Sequence, residues 1–142
     1  MSTDHKHVRI KDVMKTTFTL IDGKATIYDA LVLMKKNRTS MLVVDKRHAD
    51  DEYGLLLASD IARQVLACDR SSKRINVYEV MEKPAVYVEP EMDIRYCSRL
   101  FAQFDLVRAL VIDENRQVQG TVGPNALVLD GMFELEVDNA AG

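Results

Sequence analysis

Two stretches of this 142-residue chain resemble each other. A duplication constrains the fold before any other feature does, because a repeat is one supersecondary unit used more than once. The first stretch holds Val13-Met14, then Met41-Leu42-Val43-Val44-Asp45, then Gly54-Leu55-Leu56. The second holds Val80-Met81, then Ala109-Leu110-Val111-Ile112-Asp113, then Gly120-Thr121-Val122. Met14 and Met81 lie 67 residues apart, Asp45 and Asp113 68, Gly54 and Gly120 66. Three landmarks in one order at nearly constant separation are hard to produce by chance.

Both copies predict the same elements. A short helical turn ends at the Val-Met pair, and a strand follows, at 18–21 in the first copy and 85–88 in the second. An amphipathic helix comes next. Ile27, Ala30, Leu31 and Met34 fall at i, i+3, i+4 and i+7 on one face, with Thr26 as N-cap and Asp29 in the first turn. In the second copy Asp93 is the cap, and Leu100, Phe101 and Phe104 supply the apolar stripe. Two strands then flank a polar turn, 46–52 in the first copy and 114–116 in the second. Each copy closes on a second helix, marked by Ile61, Val65 and Leu66 in the first and opened by Gly123-Pro124 in the second, where proline suits a first helical position. The expected boundaries are 8–66 for the first repeat, 67–74 for a polar linker, 75–132 for the second repeat and 133–142 for a loose tail whose Phe133 and Leu135 dock onto the core. Each half alone buries too little surface for stability. The expected fold class is therefore α/β (α+β): two β-α-β-β-α repeats packed sheet to sheet with pseudo-two-fold symmetry, leaving clefts of the kind small ligands favour.

Composition removes several function classes. Hydrophobic residues make up 47% of the chain, enough for a real core. The net charge of -3 argues against a nucleic-acid partner, which calls for a basic footprint. No apolar run spans a bilayer, and no secretory leader is expected behind the polar start that carries His5 and His7. Cys68 and Cys97 lack metal-type spacing, which points to a reduced, cytoplasmic protein. Cys97 reads as an inert small hydrophobe on the apolar side of its helix. His5-x-His7 offers a stray metal ion two ligands, but a mobile terminus is the preferred reading. Asp50-Asp51-Glu52 lacks the spacing of a calcium loop and reads as a solvated turn. No nucleophile elbow or glycine-rich phosphate loop appears, so no catalytic or metal site is expected.

The order of landmarks resembles the CBS domain, found in tandem pairs called Bateman modules: a Val-Met turn, a strand, a helix, a hydrophobic strand ending Val-Val-Asp, and a glycine strand leading to an Asp that opens a helix. The resemblance covers about residues 8–132. It implies a non-catalytic regulatory module that senses an adenosyl effector (AMP, ADP, ATP or S-adenosylmethionine) between repeats, forms homodimers and acts on a regulated protein of unknown identity. The alternative is a ligand-free interaction and dimerisation module.

The resemblance places the ligand chemistry on Asp60, whose two carboxylate oxygens suit a ribose cis-diol. The competing reading is that Ser59 and Asp60 only cap a helix. Phe18 and Thr19 would offer backbone groups and an apolar wall to adenine, and Ser40 and Met41 would line the pocket, although core packing is the preferred reading of Met41. Arg63, one turn past Asp60, would reach a phosphate or lie on a solvated face. Arg108 holds the place of Ser40 in the second copy and would bind an anion or pair with an acidic residue. The chain departs from the family pattern in three places. Leu57 stands where Thr or Ser is usual, and Gly123 and Ala126 replace the hydroxyl residue and the Asp in the second copy. One ligand site per chain is expected, built on the first copy.

Overall fold

The computed structural model describes residues 7–141, with side chains for 7–137. His5 and Gly142 lie outside the described residues. The chain divides into two compact units: a central unit, Phe18–Ala85, and a terminal unit, Met1–Thr17 with Val86–Gly142.

In the central unit, β1 (Leu20–Ile21) runs parallel to β2 (Met41–Val44), and β2 pairs antiparallel with β3 (Gly54–Leu57). A parallel pair needs a crossover, which α2 (Ile27–Asn37) supplies. Thr26 caps α2 as expected: its Oγ1 accepts from the Asp29 amide at 3.1 Å, and the Asp29 carboxylate accepts from the Thr26 amide at 3.0 Å. Ile27, Ala30 and Met34 are buried, but Leu31 is exposed beside Tyr28 and Val32, so the buried stripe is narrower than the sequence spacing predicts. These residues close a core with Leu42, Val44, Leu56, Ile61, Val65 and Val77. After β3 come α3 (Ala58–Ile61) and a π-helical turn, Ala62–Leu66.

The terminal unit repeats the plan. β4 (Tyr87–Val88) is parallel to β5 (Ala109–Ile112), which pairs antiparallel with β6 (Val118–Val122), and α4 (Ile94–Phe104) makes the crossover. Asp93 caps α4, accepting from the Arg95 amide at 2.8 Å. Ile94, Cys97 and Phe101 form its buried face, Leu100 is half-buried and Phe104 is exposed. The expected stripe was thus shifted by part of a turn. Burial pushes the Cys97 thiol up to about 11.

Two further expectations change. The tail is not loose: α5 (Pro124–Ala126), a π-helical stretch Leu127–Met132 and α6 (Phe133–Ala141) follow one another as continuous helix. In α6 Leu135 is buried and Phe133 is exposed. His7 is not adrift either, since its Nδ1 lies 3.0 Å from the Asp93 carboxylate.

The Val-Met turns explain the repeated glycines. The turn of the first copy, α1 (Ile10–Val13), belongs to the terminal unit. Lys15 and Thr121 exchange two backbone hydrogen bonds, at 2.8 and 2.9 Å. The turn of the second copy belongs to the central unit, where Leu55 and Glu82 exchange two bonds at 2.9 Å. A Cβ on Gly120 would meet the Lys15 carbonyl oxygen at 2.5 Å, and one on Gly54 would meet Met81 Sδ at 2.9 Å. Each glycine admits the turn that the other copy's sequence contributes.

Candidate functional site

The sheet topology gathers most of the expected site at one edge of the central unit. β1 and β2 begin where β3 ends, because β1 and β2 are parallel and β3 is antiparallel to them. Met41 pairs with Leu57, and the Ala58 amide donates to the Ser40 carbonyl at 2.8 Å. The Thr19 carbonyl accepts from the Val43 amide at 2.9 Å, which holds the start of β1 beside β2. The Thr19 hydroxyl accepts from Asn37 Nδ2 at 3.0 Å, so it anchors the end of α2. Phe18 and Met41 are half-buried and Ser40 is exposed. Met41 falls outside the packed core of the unit, contrary to the preferred sequence reading.

Asp60 is buried, with 8% of its surface exposed. It is not a cap. The N-cap of α3 is Leu57, with no side-chain capping bond, and Asp60 is a residue of the first turn. The capping explanation for this carboxylate therefore fails. Arg63 Nη2 donates to Asp60 Oδ1 across one turn, while the rest of the Arg63 side chain is solvent-exposed. Asp60 Oδ2 receives no hydrogen bond among the described residues and is not sealed from solvent. One acceptor oxygen thus remains open beside a guanidinium that carries further donors.

The equivalent edge of the terminal unit has different chemistry. Arg108 precedes β5, and its Nη1 donates to the Val107 carbonyl at 3.1 Å. Its guanidinium lies so close to Gly123 that a Cβ there would sit 1.8 Å from Nη1. No acidic side chain pairs with Arg108 among the described residues, so of its two sequence readings the ion pair does not form. A bulge at the Val111/Ile112 step shifts the ladder. Counted from the helix start, Ala126 corresponds to Asp60. Counted from the strand pairing, Asn125 does. Neither is a carboxylate.

A groove of about 460 Å³ opens at the opposite end of the central sheet, lined by Ile21, Asp22, Lys24, Asp45, Lys46 and Arg47. Sequence reasoning missed it, because its residues sit in turns whose Asp side chains serve local amides: Asp22 accepts from Lys24 N and Asp45 from Lys46 N, each at 2.8 Å. Nearby, the turn expected to be solvated buries Asp51, which accepts from Lys83 Nζ at 2.8 Å, the Arg47 amide at 2.9 Å and Arg47 Nε at 3.2 Å. The Lys83 ammonium first, and then the Arg47 amide, hold its carboxyl well below the ordinary carboxylate range.

No helix of the described residues is long and apolar enough to cross a membrane. Comparison with known proteins agrees with the duplicated architecture. The family model for the CBS domain matches residues 10–67 and 77–128. The CBS domain-containing protein YhcV of Bacillus subtilis is 30% identical over 123 residues, covering 87% of this chain and 85% of that protein. The hexameric CBS-CP12 protein from bloom-forming cyanobacteria superposes with a TM-score of 0.83 at 35% identity, covering 89% of this chain and 73% of that one. A putative signal-transduction protein with CBS domains from Burkholderia ambifaria superposes with a TM-score of 0.72 at 28% identity, covering 84% and 85%. Two matched repeats and two β-α-β-β-α units establish that this chain belongs to the CBS-domain family, as a tandem pair.

Proposed function

We propose that this chain is a non-catalytic regulatory module whose central unit senses an adenosyl ligand: AMP, ADP, ATP or S-adenosylmethionine. The supporting observation is Asp60, a buried carboxylate that caps no helix and keeps one oxygen open where three strand ends meet. A ribose diol donates to Oδ2, and Arg63 turns its remaining donors to a phosphate or carboxylate of the ligand. Phe18, Thr19, Ser40 and Met41 border the same edge. Ligand binding changes output only by favouring one arrangement of the protein over another. The chain acts as a homodimer on a separate regulated protein; the CBS-CP12 relative is itself hexameric. A cytoplasmic setting fits two free thiols.

A thermal-shift panel of AMP, ADP, ATP, NAD and S-adenosylmethionine tests the reading. A ligand at about 100 times its Kd adds roughly 2.7 kcal/mol to stability, and Asp60→Ala removes that gain while the protein stays folded. If no compound raises the melting temperature, or if Asp60→Ala keeps the gain, the sensing reading is wrong. Leu57 and the Arg108–Gly123 contact favour a second reading, a ligand-free interaction module: the first removes a hydroxyl from the site, and the second fills its counterpart.

A further inference from the structure

The groove of about 460 Å³ in the central unit opens where β1 and β2 both end. In α/β sheets small ligands settle outside the carboxyl ends of parallel strands, and the volume suits a small-molecule site. The Asp45 amide donates to the Ile21 carbonyl at 2.9 Å, so Asp22 and Asp45 leave adjacent strands side by side. A turn amide fixes each carboxylate: Lys24 N donates to Asp22 Oδ1 and Lys46 N to Asp45 Oδ1, each at 2.8 Å. The second oxygen of each receives no hydrogen bond among the described residues, and neither carboxylate is in an ion pair there. Two cations share the groove with them. Lys24 Nζ has no partner among the described residues. Arg47 donates to Asp51 through Nε at 3.2 Å, which holds the side chain and leaves its Nη groups without a partner among the described residues. The Lys46 ammonium is engaged with Tyr53, 5.1 Å from the centre of the ring. Leu20, 44% exposed, adds an apolar wall.

We infer that this groove is a second ligand site, and that it takes a free α-amino acid with an aliphatic side chain. Charge selects the class. An anion such as phosphate would face two carboxylates, and an amine would face Lys24 and Arg47. A zwitterion satisfies both signs. Its ammonium donates to the open oxygens of Asp22 and Asp45, its carboxylate accepts from Lys24 and Arg47, and its side chain lies along Leu20. Turn amides already hold both carboxylates, so little side-chain freedom is lost on binding. The terminal unit offers no counterpart. Asp113 stands at the place of Asp45, but its Oδ1 accepts from the Asn115 and Gln117 amides, both at 2.9 Å, and its Oδ2 from Gln119 Nε2 at 2.8 Å. Both oxygens serve its own turn. The groove lies at the opposite end of the sheet from Asp60 and takes its ligand whether or not a nucleotide binds there.

The test is a titration of the isotopically labelled full chain with L-leucine, followed by amide NMR. The Lys24 and Lys46 amides, which report on Asp22 and Asp45, shift and saturate. Isoamylamine and isocaproate keep the leucine side chain but carry one charge each, and both bind about tenfold more weakly or worse. Asp22→Asn and Asp45→Asn each keep an acceptor for the turn amide and lose the charge, and Lys24→Gln changes an exposed side chain. Each weakens leucine binding about tenfold, with the dispersion of the spectrum confirming the fold. The inference is overturned if those amides do not shift, or if either singly charged analogue binds as tightly as leucine. It is also overturned if inorganic phosphate saturates the same amides, or if leucine binds all three variants with unchanged affinity. A negative nucleotide panel leaves it standing, and a failed leucine titration leaves the Asp60 reading standing.

Discussion

Gly120→Ala offers the most direct test of how the repeats are built. The glycine has no positive φ to protect, so its value lies in the missing Cβ. An added Cβ would stand 2.5 Å from the Lys15 carbonyl oxygen, 3.2 Å from the Lys15 carbonyl carbon and 3.3 Å from Met14 Sδ. A carbon and a carbonyl oxygen settle at about 3.3–3.6 Å, so the strand or the turn must retreat by close to an ångström. That movement pulls on both Lys15–Thr121 hydrogen bonds, which are already at normal length. Overpacking costs about 1–3 kcal/mol and each weakened bond up to about 1 kcal/mol. Reduced freedom of the unfolded chain offsets roughly 0.4–1 kcal/mol. The expected loss is about 2–4 kcal/mol. Gly54→Ala is the internal control. Its Cβ would meet Met81 Sδ at 2.9 Å and Val44 Cβ at 3.1 Å, and the thioether can swing away, so about 1 kcal/mol is expected. Urea unfolding followed by circular dichroism gives both values from the midpoints, provided the slopes agree. If Gly120→Ala unfolds at the wild-type midpoint, or if Gly54→Ala is the more damaging change, the close-approach argument is wrong.

Two other outcomes follow from the ionisable groups. The folded Asp51 carboxyl is depressed below its ordinary value, first by Lys83 and then by the Arg47 amide. Its contribution is therefore present above about pH 4 and lost as pH falls further; melting curves taken between pH 6 and pH 2 should drop more steeply for the wild type than for Asp51→Asn, and parallel curves would count against the cluster. Cys97 is buried and its thiol is raised to about 11, whereas Cys68 is exposed. A thiol reagent near pH 8 should titrate one cysteine in the folded chain and both in denaturant, and rapid reaction of two thiols in the folded chain would show that the core around α4 opens.

The elements were legible because their signals are local. Thr26 and Asp93 cap helices as their residue types suggest, and the apolar runs Leu42–Val44 and Ala109–Ile112 are buried strands. What sequence spacing resolved poorly was the width of each apolar face. Leu31 and Phe104 lie at the margins of the buried stripe, where hydrophobicity alone does not say whether the neighbour is core or solvent. The helical tail follows from packing that local sequence does not show. A Cβ on Gly131 would sit 2.6 Å from Ile94 Cδ1, so the glycine permits close packing of the helix on α4. The site divided similarly. The position of Asp60 was legible, but its freedom from capping was not, because that depends on the helix starting at Ala58 rather than later. The Asp51–Lys83 pair joins residues 32 apart, and no local pattern announces it.

The duplication and the compact units are not the same partition of the chain. A sequence repeat begins with its Val-Met turn, but that turn packs within the unit that carries the other repeat's glycine. The Ile27 amide donating to the Ile75 carbonyl and the Ile94 amide donating to the Val8 carbonyl show the same exchange one step earlier, at the entrance of each crossover helix. A single repeat cut out at the linker would therefore keep a turn with nothing to pair and lose the one its own β-strand accepts. Each copy thus depends on the other for the turn its last strand pairs with. The exchanged contacts involve Met14, Lys15, Met81 and Glu82, whereas the sheet edges hold Leu57 and Asp60 in the central unit and, separately, Arg108 and Gly123 in the terminal unit. The two sets do not overlap. The plan of both copies can therefore be kept while Arg108 lies against Gly123 at one edge and Asp60 keeps an open oxygen at the other.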